Sequence, residues 1–147
     1  MLINNAGYIT EGEIARVTPE SIRQAVRVNC EGTADITKFV VDGHNPANKL
    51  EILTVASLAA EYPMPYMAVY AASKAFVLSF MTALREEVKD KNIVVSTVIP
   101  SGIYTTQAMK DAIKSQGLAG RLSSMEPKKI AQIALKKMGR AIIVPGT

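Results

Sequence analysis

Leu50-Glu51-Ile52-Leu53-Thr54-Val55-Ala56, followed by Ser57, is a short and nearly continuous apolar run rich in branched side chains. A strand with one wet face alternates polar and apolar residues, whereas a strand of a parallel sheet is covered on both faces and loses that alternation. The stretch therefore predicts a buried strand of a parallel sheet that ends at a polar residue. Three more segments share its character: Leu2-Ile3 running into Asn4, Ile93 to Pro100, and Ala141 to Val144.

Segments of helical period lie between these runs. Thr18-Pro19-Glu20 offers an N-cap followed by Pro at the first helical position, and the pattern continues through Ile22, Val26, Asn29 and Ala34 to about Val41. A second helix is predicted from about Met67 to Lys89, with Ala75, Leu78, Phe80 and Leu84 as its apolar stripe. A third begins near Glu126 and ends at Gly139, where Gly suits a C-terminal cap. Strand and helix alternate along the chain, which predicts the α/β class: a partial Rossmann-like, doubly wound parallel sheet of about four strands with flanking helices. One domain over residues 1–147 accommodates it. From Tyr104 to Ser124 a polar stretch, weakly helical over Thr105 to Lys114, has the length and place of an active-site lid.

Composition narrows the function classes. The chain is 48% hydrophobic and 20% charged, and no apolar run approaches the roughly 18 residues of a membrane span. Met1-Leu2-Ile3-Asn4-Asn5 has neither a basic nor an apolar export signal, and the single cysteine, Cys30, has no internal disulfide partner, so a cytoplasmic location is expected. Cys30 reads as a small core residue, and His44 in Gly43-His44-Asn45-Pro46 as an exposed loop residue; no metal site is expected. The net charge of +4 is densest at Lys128, Lys129, Lys136, Lys137 and Arg140. These alternate with Ile130, Ile133, Ala134 and Leu135 at helical spacing, which reads as a solvated helix face and not as a surface for nucleic acid or membrane.

Ligands of open α/β sheets bind beyond the carboxyl ends of the strands. Three such ends are polar or Gly-bearing here: Asn4-Asn5-Ala6-Gly7, Ser57, and Pro100-Ser101-Gly102-Ile103-Tyr104-Thr105. The helix after the second carries Tyr70-Ala71-Ala72-Ser73-Lys74, and residues i and i+4 project from one helix face. A free Tyr titrates near about 10, but a cation roughly 4 Å away at an effective dielectric of about 20 contributes about 4 kcal/mol of gross attraction to its phenolate. A Tyr so placed exchanges a proton with an alcohol or carbonyl oxygen near neutrality. The Tyr-x-x-x-Lys spacing arises readily by chance and gains weight only from its neighbours.

Taken together, these pieces resemble the short-chain dehydrogenase/reductase family. They are Asn4-Asn5-Ala6-Gly7, Val28-Asn29, Ser57 placed thirteen residues before Tyr70, Tyr70-Ala-Ala-Ser-Lys74, and a Pro-x-Gly-Ile-x-Thr stretch ending at Thr105. The resemblance implies an oxidoreductase that moves hydride between NAD or NADP and a small carbonyl or alcohol substrate. It makes Tyr70 the general acid/base and has Lys74 lower the Tyr70 pKa while binding the nicotinamide ribose. It gives Ser57 the substrate oxygen, and Asn29 a water that links Lys74 to solvent. Asn5, Ala6 and Gly7 are expected to line the cofactor groove and tie neighbouring strands, and Pro100, Ile103 and Thr105 to border the nicotinamide. Tyr62 and Tyr66 flank this site, as pocket walls or as packing beneath the lid.

The family's Gly-rich turn of the type Thr-Gly-x-x-x-Gly-x-Gly is not found in the 147 residues, and Ser101 stands where Gly is usual. The chain is accordingly expected to represent a C-terminal catalytic portion without the N-terminal cofactor motif, with the Leu2 strand at an exposed sheet edge. In the family, the helices corresponding to Pro19–Val41 and Met67–Lys89 pack across a subunit interface, which implies a homo-oligomer. A catalytically silent interaction module is the alternative expectation.

Overall fold

The computed structural model describes residues 1–103 and 124–145. Its centre is a four-stranded parallel sheet in the order β1 (Leu2–Asn4), β2 (Leu50–Val55), β3 (Ile93–Val98), β6 (Ile142–Ile143). Leu2 registers with Ile52, Leu50 with Ile93 and Thr97 with Ile142, so all four strands point the same way. A small parallel pair, β4 (Gly102–Ile103) with β5 (Ser124–Met125), lies beyond the end of β3. The partial Rossmann-like, doubly wound arrangement read from the apolar runs is the observed one.

Period-2 alternation along the strands divides the core between the two faces of the sheet. Leu50 and Ile52 of β2, with Ile93 and Val95 of β3, pack on one face against Val77, Met81 and Leu84 of α3 (Ala68–Glu87). Val40 and Val41 of α2 (Gly32–Asp42) join the same cluster. Leu53 and Val98 face the other way, onto Ile130 and Ala134 of α4 (Pro127–Lys136). Because both faces are covered, β2 and β3 need apolar residues at nearly every position, and that is why they read as continuous runs.

The first helix differs from expectation. Thr18 caps α1 (Pro19–Val26) by accepting the Ser21 N–H at 3.2 Å, but at Arg27–Glu31 the helix widens into a π turn before α2 begins. The Gly32 N–H reaches back to the Arg27 carbonyl, and a Cβ at Gly32 would stand 3.3 Å from that oxygen. Glycine leaves room for the wider turn, and π turns of this kind occur often at functional sites. The second and third helices match their expected extents within two or three residues. The expected lid, Tyr104 to Ser124, lies outside the described residues except for its last, Ser124 in β5.

Candidate active site

The carboxyl ends of β1, β2 and β3 converge, and hydrogen bonds fix their spacing. Asn4 donates from Nδ2 to the Thr37 hydroxyl at 2.9 Å and the Thr54 hydroxyl at 3.1 Å, tying β1 to α2 and β2. The Leu58 N–H donates to the Pro100 carbonyl at 2.9 Å, which joins the turn after β2 to the end of β3. Asn4 thus ties the neighbouring strands, and Asn5, Ala6 and Gly7 are exposed beyond the strand end. Asn4 was legible only as the last strand residue, because the interacting Thr37 lies on a helix 33 residues away.

Ser57 opens a short 3₁₀ turn, Leu58–Ala60, and accepts the Ala59 N–H at 3.2 Å, which fixes its rotamer. Its hydroxyl also acts on Tyr70, favouring the phenolate. Tyr70 is half-buried in the first turn of α3, and Lys74 lies one turn on, with its Nζ 5.9 Å from the Tyr70 ring centre. Lys74 is buried, with 5% of its surface exposed, and donates one Nζ hydrogen to the Val55 carbonyl at 3.0 Å. Burial pushes the Tyr70 phenol above its ordinary pKa, and the Ser57 hydroxyl only partly offsets this. Burial also pushes Lys74 below the usual ammonium range, with a smaller opposing influence from Cys30. The sequence suggests a depressed Tyr70 pKa; the direction here is upward, because desolvation dominates and Lys74 donates to the Val55 carbonyl.

Asn29 sits in the π turn with 1% exposure. Its Oδ1 accepts the Tyr8 N–H at 2.8 Å, and its Nδ2 donates to the Tyr8 carbonyl at 2.9 Å and to the Ser73 hydroxyl at 2.8 Å. Ser73 in turn donates to the Tyr70 carbonyl at 2.7 Å. The amide thereby connects the loop after β1 to the turn of α3 that carries Tyr70. Sequence reading passed over Ser73, although its place between Tyr70 and Lys74 on a buried helix face was a usable signal.

Gly7 adjoins this cluster: a Cβ there would lie 3.4 Å from Lys74 Nζ and 3.8 Å from Asn29 Oδ1. Ser57, Tyr70, Lys74, Asn29 and Gly7 are therefore neighbours. Pro100 is buried at the adjoining strand end, and Ile103 packs with the core on the α4 side of the sheet. Thr105 lies outside the described residues. Tyr62 is exposed, and Tyr66 adopts a left-handed backbone with φ of 65°. Cys30 is half-buried, with burial pushing its thiol up.

The sequence profile described as short chain dehydrogenase matches residues 1–116, and the chain belongs to that family. Among curated relatives, the very-long-chain 3-oxoacyl-CoA reductase of Bos taurus is 33% identical over 112 residues, covering 74% of this chain and 36% of the relative. The enzyme of the same description from Coccidioides immitis (strain RS) is 32% identical over 143 residues, covering 96% and 39%. The chain thus spans roughly two fifths of the length of these relatives. Among solved structures, a 3-ketoacyl-(acyl-carrier-protein) reductase from Brucella melitensis complexed with NADH superposes with a TM-score of 0.79 at 25% identity, covering 99% of this chain and 65% of that one. A 7beta-hydroxysteroid dehydrogenase reaches 0.86 at 18% identity, covering 99% and 57%, a likeness of fold.

The profile match corrects one expectation. The expectation of a C-terminal catalytic portion lacking the N-terminal cofactor motif gives way to a match that starts at residue 1 and takes in β1 and Asn5-Ala6-Gly7. The N-terminal, cofactor-facing region lies inside the match. The structure supplies the physical reason: β1 pairs in register with β2, and its end delivers Gly7 to Lys74.

Proposed function

We propose that the chain is a single-domain NAD- or NADP-dependent oxidoreductase of the short chain dehydrogenase family that interconverts a small carbonyl compound and its alcohol. The observation that carries this reading is the buried Lys74 one helical turn from Tyr70, its Nζ 5.9 Å from the Tyr70 ring centre, with the Ser57 hydroxyl favouring the phenolate.

The chain fits the cofactor its family implies. Lys74 has three N–H donors, of which one goes to the Val55 carbonyl, and Gly7 offers backbone without a side chain next to it. Asn5, Ala6, Gly7, Lys74, Tyr70, Pro100 and Ile103 would hold it, with Thr105 as the further candidate. When bound, it supplies or accepts the hydride.

The residues then divide the remaining work. Ser57 holds the substrate oxygen and polarises the carbonyl by donating to it. Tyr70, kept protonated by its burial, gives its proton to that oxygen in reduction and takes one back in oxidation. Lys74 stabilises the phenolate left behind by its charge. Asn29 and Ser73 hold the Tyr70 turn against the loop after β1, and Asn29 Oδ1 retains a lone pair for a water toward Lys74. A cytoplasmic location and a homo-oligomer belong to the same reading.

The test is titration with NADH and NADPH followed by nicotinamide fluorescence, then turnover of an aldehyde and ketone panel. Tyr70→Phe is expected to keep the fold and cofactor binding and to lower turnover by about 10²- to 10⁴-fold. Turnover retained near the starting level would remove Tyr70 from the acid/base role. A second reading, an interaction module without turnover, is favoured by the exposed Ile36 and Phe39 on α2; a folded chain that binds neither nucleotide would support it.

A further inference from the structure

We propose that Tyr66 is a positioning residue for Tyr70: its left-handed backbone, latched to Gly12 in the loop after β1, sets the entry of α3 and with it the turn that carries the phenol. This deepens the oxidoreductase reading and rests on it for the acid/base role of Tyr70.

The Tyr70 turn needs such a hold because no side chain caps its helix. Thr18 closes the start of α1, but Met67, which precedes α3, makes no side-chain cap bond. The Ala71 N–H donates to the Met67 carbonyl at 2.8 Å, so Tyr70 stands within the opening turn, where a helix frays unless its end groups are held. The hold comes from the preceding peptide. The Tyr66 carbonyl accepts the Gly12 N–H at 2.7 Å, and the Met67 N–H donates to the Met64 carbonyl at 3.1 Å. Those two groups belong to one planar unit, which is thus fixed at both ends immediately before the helix begins.

The loop that supplies Gly12 is itself fastened at every second residue. Tyr8 is bound through both backbone groups by Asn29, at 2.8 and 2.9 Å, and Asn29 reaches the Tyr70 carbonyl by way of Ser73. Thr10 is buried, with its hydroxyl 3.3 Å from that of Ser21 on α1. Gly12 follows with the bond to Tyr66. The loop therefore holds the Tyr70 turn twice, at the Tyr70 carbonyl through Asn29 and Ser73 and at the entry peptide directly. Beside the second hold, Ile14, Val17, Ala68 and Val69 line a cavity of about 350 Å³, so close packing does not back up the hydrogen bond there.

The backbone at this point is unfavourable in isolation. Tyr66 has φ of 65° and Gly12 has φ of 121°. A left-handed Tyr persists only where its surroundings require it, and here the ring gains little burial, at 65% exposure. What the conformation secures is the direction of the peptide that follows Tyr66, with its carbonyl aimed at Gly12.

Tyr66→Gly and Tyr66→Val separate the backbone from the ring. Both remove the phenol, but glycine enters the left-handed region freely whereas a β-branched residue opposes it. With a ketone turned over by the unmodified chain, kcat of Tyr66→Val is expected to lie about tenfold or more below that of Tyr66→Gly, with KM values within about twofold. Equal kcat in the two, or losses confined to KM, would make Tyr66 a pocket wall and overturn the proposal. A second readout needs no turnover. In the chain with ¹³Cζ-labelled tyrosine, the Tyr70 line is identified by its loss in Tyr70→Phe; it is expected to stay single in Tyr66→Gly and to broaden or split in Tyr66→Val. Gly12→Ala imposes the same backbone conflict from the loop side and is expected to behave as Tyr66→Val does, which keeps the result readable if that variant does not fold. A Tyr70 line unmoved by both substitutions overturns the latch. A line that responds in a chain that reduces no ketone keeps the latch and overturns the oxidoreductase reading; turnover with an unresponsive line does the reverse.

Discussion

An ammonium group taken out of water loses hydration that one carbonyl does not replace, and Lys74, buried against Val55, is in that position. Its pKa in the folded chain lies below that of the unfolded chain, so the native state releases the proton more readily. Stability therefore rises with pH from the folded pKa up to the unfolded value and is lost as pH falls through the folded pKa. Lys74→Met is accordingly expected to raise the urea midpoint at neutral pH, with the gain shrinking toward pH 10 or so, while abolishing turnover. A midpoint difference that is flat with pH would contradict this. Asn29 is the opposite case, a buried polar group with three well-formed side-chain hydrogen bonds. Asn29→Ala strands both Tyr8 backbone groups and is expected to destabilise by about 2 kcal/mol, read from urea unfolding. The Tyr70–Lys74 pair and Ser57 were legible because their spacing carries chemistry. The upward Tyr70 pKa was not, since burial is a property of the assembled site and not of the i, i+4 spacing.

Helix α3 brings the core and the site together. Its inner face carries Ser73 and Lys74 near one end and Val77, Met81 and Leu84 below them, so the turns that position the chemistry are continuous with those that pack on β2 and β3. Met81 is fully buried in that stripe, and Met81→Ala should cost about 3 kcal/mol in an unfolding titration, with the loss also disturbing Tyr70. A cost below about 1 kcal/mol would mean that α3 is anchored elsewhere. Strands β2 and β3 could be read from sequence because burial on both faces removes polar alternation. The π turn could not: Asn29 and Gly32 fit an ordinary helical period, and only the Gly32-to-Arg27 hydrogen bond reveals the wider turn. The β4–β5 pair escaped notice for a different reason, since two-residue strands have no period to detect.

Across the whole molecule, the two faces of the sheet are covered unequally from the side of β1. On α2, which packs beside β1, Ile36 is 52% and Phe39 79% exposed, one helical turn apart. An apolar patch of this kind favours association. Phe39→Asp is expected to shift the chain toward a smaller species in sedimentation velocity without altering its far-ultraviolet circular dichroism. An unchanged sedimentation profile would place any association elsewhere.

The parallel sheet also governs the order in which the chain can acquire structure during its synthesis. Leu2 pairs with Ile52, Leu50 with Ile93, and Thr97 with Ile142, so each ladder joins residues about 45 positions apart on average. At a translation rate of about 5 to 20 residues per second, each strand leaves the ribosome several seconds before its next partner. Each of these strands therefore waits, solvated and adhesive, for the next to emerge, and β3 completes its pairing with β6 only after Ile142 and Ile143 have appeared.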